Sequence, residues 1–237
     1  MSVIQAYEDL VDSKNLSHDP AQEKAIQALS KLALSLQIPV KKSWFNQPKQ
    51  TFQSKGIYFY GRVGRGKTML MDLFYQHIEI KNKKRIHFHR FMEIIHQQLA
   101  EISGQSEPLD AIAKRWSLEV KLLCFDEFFV TDIGDAMLMS GLLNAFFKYG
   151  VVLVATSNCH PDMLYRNGLQ RQRFLPTISL LNSNCQIISI DGDIDHRLSH
   201  FIHQSCYRDY SYPIDNKHYF ITKCYWKLSP NKSIKPG

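Results

Sequence analysis

One eight-residue segment restricts the fold of this chain more than any other. It reads Gly61-Arg62-Val63-Gly64-Arg65-Gly66-Lys67-Thr68 and fits the pattern G-x-x-x-x-G-K-[ST]. An apolar run precedes the segment, and a helical apolar pattern follows it. Its glycines let the main chain curl so that several N–H groups point inward, and the helix that follows turns its positive end toward the same point. The segment therefore predicts a loop that holds a phosphate chain between a strand and a helix.

The residues of this loop have separate expected roles. Lys67 is expected to reach the β- and γ-phosphates of a nucleoside triphosphate, and the hydroxyl of Thr68 to bind Mg²⁺. Main-chain N–H groups are expected to hold the other phosphate oxygens. The predicted nucleotide-binding residues are Gly61, Arg62, Val63, Gly64, Arg65, Gly66, Lys67, Thr68 and Met69.

The central sequence alternates between short apolar runs and helical patterns. The apolar runs lie at 57–60, 85–89, 120–125, 151–156 and 186–190, and the helical patterns at 67–78, 90–102, 109–117, 132–148 and 161–182. Strands separated by helices predict an α/β fold with a parallel five-stranded sheet flanked by helices. A further amphipathic helix is predicted at 19–37, where Asp19 is the N-cap and Gln22 completes a capping box.

Two acids end the third apolar run. Asp126 and Glu127 follow it directly, about 60 residues after the glycine-rich loop. Carboxylates at the carboxyl end of a parallel strand project into the crevice where ligands bind. We expect Asp126 to hold Mg²⁺ through water and Glu127 to activate the attacking water.

Three other polar positions have a functional and a structural interpretation. Asn158 follows the fourth apolar run, where it either contacts the γ-phosphate or attacking water, which we favour, or caps the strand. Arg171 and Arg173 lie in a basic stretch with no acid nearby, and they either stabilise phosphate charge in a transition state or end an exposed helix. His87 and His89 are predicted to share one face of a strand, where packing or hydrogen bonding is favoured over metal binding.

Charge and composition exclude several classes of protein. The chain has 237 residues and a net charge of +7, of which +4 lies in residues 205–237, so a nucleic-acid-binding surface is not expected over 1–204. The basic run 81–85 is interpreted as a solvated loop. The longest apolar run has five residues, acids precede the first basic residue, and five cysteines occur without a CxxC pair. These features predict a cytoplasmic protein with reduced thiols and no membrane span.

Several longer segments together resemble the ZapE-type cell-division ATPase family, which belongs to the AAA+ class and is related to mitochondrial AFG-type ATPases. The resemblance runs from about residue 21 to residue 197, on the segments GIYFYGRVGRGKTMLMDLF, RIHFHRFM, LLCFDEFFVTDIGDAMLM, LVATSN and LYRNGLQRQRFLP. It implies that the loop at 61–68 is the Walker A motif, that Asp126 and Glu127 are the Walker B acids, and that Asn158 is sensor 1. It also implies a trans-acting arginine, with Arg173 favoured over Arg171.

The resemblance also implies an organisation and a role. It divides the chain into an N-terminal helical segment and linker at 1–54, an AAA+ core at 55–204, and the start of an incomplete lid at 205–237, whose shortness is expected to weaken assembly into homo-oligomers. The implied function is Mg²⁺-dependent hydrolysis of ATP in bacterial cell division, with the polymer-forming protein FtsZ as a partner. A nucleotide-gated binding module with little turnover and a helicase-loader-like AAA+ protein are the alternatives.

Overall fold

Five parallel strands form the centre of the fold in a computed structural model, which describes residues 2–13, 19–37, 54–102, 104 and 106–191. The strands are β1 (Gly56–Tyr60), β2 (Lys83–His87), β3 (Leu122–Asp126), β4 (Val152–Ser157) and β5 (Cys185–Ser189). Their order across the sheet is β2-β3-β4-β1-β5, and every neighbouring pair is parallel. The predicted α/β fold with a parallel five-stranded sheet is confirmed.

Helices cover both faces of this sheet. One face carries α1 (Val3–Ser13), α2 (Pro20–Gln37) and α3 (Lys67–His77), and the other carries α4 (Phe88–Glu101), α5 (Pro108–Glu119), α6 (Ile133–Lys148) and α7 (Leu175–Asn184). The strands supply both cores by alternation. Along β3, Leu122 and Cys124 enter the core beneath α1–α3, whereas Leu123 and Phe125 enter the opposite one. The central strands are therefore apolar at nearly every position.

The N-terminal helices belong to the same core as the sheet. The helix predicted at 19–37 is confirmed as α2, and the carboxylate of Asp19 accepts a hydrogen bond from the N–H of Ala21 at 2.9 Å. The predicted capping box is wrong, because the side chain of Gln22 contacts Tyr7 and Arg65 instead. The sequence did not predict α1, whose buried side chains pack with α2 and α3.

Two predictions around β2 are wrong. The strand covers Lys83–His87 and α4 begins at Phe88, so His87 and His89 do not share a strand face. The basic run is not a solvated loop, because β2 pairs with β3 over its whole length and places Arg85 opposite Cys124. The ammonium of Lys83 donates hydrogen bonds to main-chain carbonyls at the end of α3, which accounts for a cation at this position.

The single helix predicted at 161–182 is also wrong. Two short 3₁₀ turns, Pro161–Met163 and Arg171–Arg173, precede the only α-helix of this segment, α7. Tyr165 and Gln170 have positive φ angles of 51° and 56°, which interrupt a right-handed helix. The ring of Tyr165 also lies where a Cβ on Gly168 would stand, and its hydroxyl donates to the Leu169 carbonyl at 3.0 Å. Periodicity alone does not reveal such turns.

Parts of the predicted organisation lie outside the described residues. They include most of the linker, at 38–53, and the predicted lid at 205–237. Among the helices that the structure describes, none is long and apolar enough to cross a membrane.

Candidate active site

The polar residues predicted at three strand ends meet at one edge of the sheet. Strand β4 lies between β1 and β3, with Ser157 opposite Tyr60 and Ala155 opposite Phe125. The glycine-rich loop follows β1, the two acids end β3, and Asn158 follows β4. Because parallel strands all end at the same edge, these groups lie together at the edge where such sheets form their ligand-binding crevice.

The glycine-rich loop has the main-chain geometry that its sequence predicts. Gly64 and Gly66 have φ angles of 84° and 85°, which favour glycine. Helix α3 begins directly after Gly66, at Lys67, so its first N–H groups face the loop. Arg62, Val63, Gly64 and Thr68 are exposed, and the remaining predicted nucleotide-binding residues except buried Gly61 are half-buried. The loop thus offers N–H donors to an anion from solvent.

The side chain of Lys67 folds over this loop. Its ammonium donates hydrogen bonds to the carbonyls of Gly61 at 2.6 Å and Arg62 at 2.8 Å. Burial lowers the pKa of Lys67 below its usual value, and the negative charges of Asp191 and Glu127 oppose this shift in part. The ammonium is therefore held beside the loop, where a further negative group would stabilise its charge.

Residues distant in sequence brace the loop. The guanidinium of Arg65 donates to the Ile190 carbonyl at 3.1 Å and to the carboxylate of Asp19 at 3.1 Å. The N–H of Arg62 donates to Asp191 Oδ1 at 2.7 Å. The start of α2 and the segment after β5 thereby both hold the loop in place. No sequence motif marks Asp191 as a part of the site, and the sequence predicts Asp19 only as a helix cap.

Asp126 is held by a buried ion pair. Asp126 is only 7% exposed. Its two carboxylate oxygens accept hydrogen bonds from Nε and Nη2 of Arg85 at 2.7 and 3.1 Å. The third nitrogen of the guanidinium, Nη1, donates to Asp72 on α3. Burial acts to lower the pKa of Arg85, but the hydrogen bonds to both carboxylates outweigh it and raise that pKa. The sequence marks Arg85 only as part of a basic run, a pattern that predicts a solvated loop rather than a site residue.

Glu127 turns away from the strand that precedes it. Its φ angle is 54°, a left-handed conformation that is uncommon outside glycine, and its side chain is exposed at the crevice. Its N–H donates to the hydroxyl of Thr156 at 3.1 Å, and the Ser157 hydroxyl donates to the Phe128 carbonyl at 2.8 Å. Strand β4 thus fixes the turn that presents Glu127. Asn158, next along that chain, is also exposed at this edge.

The residues present fit a magnesium ion that arrives with a nucleotide. Thr68 offers an exposed hydroxyl at the start of α3, and each oxygen of Asp126 can accept beyond its bond to Arg85. Across the described part of the chain, no group of three or more His, Cys, Asp or Glu side chains is suited to a metal. Mg²⁺ commonly binds one or two protein ligands and takes the rest from phosphates and water.

The two candidate arginines have different surroundings. Arg171 is half-buried, and its Nη2 donates to the Asp162 carbonyl at 2.6 Å. Arg173 is exposed, and its Nη1 donates to the side chain of Gln170 at 3.1 Å. Leu169 and Leu175, on either side of Arg173, are 74% and 48% exposed. Arg171 is therefore bonded within its own loop, whereas Arg173 is exposed, as are two apolar residues near it in sequence.

Known protein sequences are similar to this chain. A family model described as AFG1-like ATPase matches residues 1–233. The cell division protein ZapE of Escherichia coli K12 is 55% identical over 144 residues, which are 61% of this chain and 38% of that protein. Lactation elevated protein 1 homolog B of Danio rerio is 36% identical over 245 residues, covering 81% of this chain and 49% of that protein. The chain thus spans about half the length of these relatives or less.

Solved structures share the fold. A crystal structure of DnaI has a TM-score of 0.51 and 18% identity, covering 74% of this chain and 84% of that one. AMPPCP-bound DnaA from Aquifex aeolicus has a TM-score of 0.50 and 16% identity, covering 81% of this chain and 53% of that one. At such low identity these similarities show a P-loop fold of the AAA+ type and nothing about the reaction.

Proposed function

This chain belongs to the AFG1-like ATPase family, and from that premise we propose that it binds ATP together with Mg²⁺ and hydrolyses the bond between the β- and γ-phosphates, which releases ADP and phosphate. The observation that carries the proposal is the meeting of the glycine-rich loop, Asp126, Glu127 and Asn158 at one edge of three adjacent strands. The nucleotide-bound state of the Aquifex aeolicus DnaA structure supports the choice of ligand.

In this proposal the loop binds and orients the triphosphate. The N–H groups between Gly61 and Thr68 hold the phosphate oxygens, and the ammonium of Lys67 exchanges its carbonyl partners for the β- and γ-phosphates. Thr68 and Asp126 would hold Mg²⁺, which would neutralise phosphate charge when bound.

The exposed carboxylate of Glu127 accepts the proton of the attacking water. The left-handed turn at Glu127 supports this role, since it directs the acid out of the strand and toward solvent in the crevice. Asn158 orients the same water or the γ-phosphate from the neighbouring strand. A strained conformation at a non-glycine residue costs free energy and is common where a side chain must be presented for chemistry.

We also propose that Arg173 completes the site of a neighbouring copy of this chain in a homo-oligomer. Its exposure, and the exposed Leu169 and Leu175 beside it, support a contact with another molecule rather than with its own loop. Arg171 does not take this role in the proposal, because its guanidinium already donates to Asp162.

The name of the Escherichia coli relative supports a role in bacterial cell division, which we propose together with a cytoplasmic location. The polymer-forming division protein FtsZ is the partner that we propose. Co-sedimentation of the purified chain with FtsZ polymers tests this partner. We expect pelleting that depends on ATP, and the same recovery with and without FtsZ would contradict it.

Phosphate release by purified protein, with Glu127→Gln as the matched variant, tests the reaction. We expect Glu127→Gln to lower the rate by about 100-fold or more, because a general base contributes about that much. Its affinity for a fluorescent ATP analogue should stay within about twofold, since one amide replaces one exposed carboxylate. If wild-type protein binds the analogue and its phosphate release matches that of the variant, the chain is a nucleotide-gated binding module instead.

A further inference from the structure

We propose that Arg85 is a positioning residue for the magnesium-bound nucleotide. It joins the carboxylate of Asp126 on β3 to α3, the helix that begins with Lys67 and Thr68. The inference rests on the proposed function, because it assigns Arg85 to the metal side of the same site. No loop motif includes this residue, which lies between the glycine-rich loop and the acid pair.

The first part of the argument is the fork between Arg85 and Asp126. Two nitrogens of the guanidinium meet both oxygens of the carboxylate, at 2.7 and 3.1 Å, and the two side chains are only 20% and 10% exposed. A bidentate pair fixes the plane of the carboxylate as well as its position. One direction of approach to each oxygen is occupied by Arg85, so the remaining lone pairs face a defined direction.

The second part is the contact with Asp72. The remaining guanidinium nitrogen donates to this carboxylate, which lies four residues after Thr68 on α3. Residues four apart share one face of a helix, so Asp72 and Thr68 are on the same side of α3. Arg85 therefore connects the two elements that carry the proposed ligands of the metal. Replacing Arg85 removes the hydrogen bonds that fix the distance between β3 and α3 at this point.

The third part is the charge balance. One cation lies between two carboxylates, so the cluster formed by Arg85, Asp126 and Asp72 has a net charge of −1. A competing account treats Arg85 as a counter-ion that blocks the metal. The two accounts predict opposite effects of removing Arg85. If Arg85 positions the metal ligand, Mg²⁺ should tighten nucleotide binding less in the variant. If Arg85 competes with the metal, Mg²⁺ should tighten nucleotide binding more.

The test measures binding of a fluorescent ATP analogue in Mg²⁺ and in EDTA, without turnover as the readout. We expect Mg²⁺ to tighten binding to wild-type protein, and Arg85→Gln to lose about tenfold or more of that tightening, as changes behind a metal ligand commonly do. The affinity in EDTA should remain within about twofold, because the loop contacts with phosphate do not involve Arg85. Arg85→Lys, which keeps the charge and loses the fork, should lie between wild type and Arg85→Gln.

Two further variants separate this role from a general effect on the fold. Asp72→Asn removes the charge of the link to α3 and keeps an acceptor oxygen, so it weakens only that link and should lose a smaller part of the Mg²⁺ effect. Lys84→Gln removes the neighbouring cation, whose ammonium lies 4.5 Å from the Trp116 ring, and should leave the Mg²⁺ effect unchanged. Thermal unfolding identifies any variant that does not fold, and Arg85→Lys and Asp72→Asn decide the question if Arg85→Gln is one of them.

The results distinguish this inference from the function on which it rests. If wild-type protein responds to Mg²⁺ and Arg85→Gln responds equally or more strongly, Arg85 does not position the metal ligand and only the inference fails. If wild-type protein binds the analogue equally in Mg²⁺ and EDTA, the metal dependence of the proposed function fails with it.

Discussion

The side-chain amide of Gln22 donates a hydrogen bond to the main-chain carbonyl of Arg65 at 3.1 Å, across 43 residues of sequence. The hydroxyl of Tyr7, on α1, in turn donates to the Gln22 side chain at 3.3 Å. A Cβ placed on Gly66 would lie 2.9 Å from the Gln22 amide nitrogen. The N-terminal helices therefore pack against the glycine-rich loop and restrict the conformations that it can adopt.

Gln22→Ala is expected to weaken nucleotide binding without unfolding the protein. The change removes one side-chain hydrogen bond to the loop, which contributes about 1 kcal/mol and corresponds to about a fivefold change in affinity. Titration with a fluorescent ATP analogue measures the effect. Gln27→Ala, at an exposed position of the same helix, is the control. Equal affinities for the two variants would mean that the hydrogen bond from Gln22 does not support the loop.

The sequence predicts the groups that are local to one strand end. The glycine-rich loop, the acids after β3 and Asn158 after β4 each depend on residues that are adjacent in the chain, and parallel strands bring such ends together. The five strands were likewise expected from their apolar runs, although β2 begins two residues earlier than its run.

The contacts that brace the site are not predictable in this way. Arg85 and Asp126 are 41 residues apart, and their pairing depends on β2 lying next to β3. A row of apolar runs does not specify that order. Gln22 occupies a capping position by sequence, and only the packing of α2 on the loop assigns its amide to Arg65. Long-range polar partners thus depend on the tertiary arrangement rather than on local propensity.

Gly56→Ala is expected to destabilise the sheet strongly. A Cβ at this position would lie 2.0 Å from the carbonyl oxygen of Leu153 on the neighbouring strand, so the main chain must move. Overpacking of this kind costs about 3 kcal/mol, or a fall of about 9 °C in the melting temperature. Gly150→Ala is the comparison. The new Cβ would contact nothing within 4 Å, so only the φ of 76°, which alanine disfavours, would destabilise this variant. Equal melting temperatures for the two variants would contradict this account.

Nucleotide affinity is expected to fall at a lower alkaline pH than an exposed lysine would give. Burial lowers the pKa of Lys67 below its ordinary value of 10.5, so in the nucleotide-free protein its ammonium loses a proton at a lower pH. Bound phosphate favours the charged form, and affinity therefore decreases once the pH exceeds the pKa of the free protein. Titrations with a fluorescent ATP analogue from neutral to alkaline pH measure this decrease. Lys67→Arg keeps its charge throughout, and a decrease of the same size in that variant would assign the effect to another group.

Arg173→Ala is expected to lower ATP hydrolysis while leaving nucleotide affinity within about twofold. The proposed role lies in a neighbouring subunit's site, and an arginine that stabilises transition-state charge contributes about 10³-fold or more where it has been measured. Phosphate release at increasing protein concentration measures the effect, because activity that depends on assembly rises more steeply than linearly. Arg171→Ala is the comparison, and we expect it to act through stability, since its guanidinium holds the Asp162 carbonyl.

Mixing Arg173→Ala with Lys67→Ala tests whether the arginine acts between subunits. The first variant keeps an intact phosphate loop and lacks the donated arginine, and the second keeps the arginine and lacks the lysine that binds phosphate. In a mixed oligomer, some sites combine the loop of one variant with the arginine of the other, and these sites should regain activity that neither protein has alone. Hydrolysis by the mixture equal to the sum of the separate proteins, at concentrations where the wild type assembles, would refute a role in trans. Recovery that disappears on dilution below the assembly concentration would establish it.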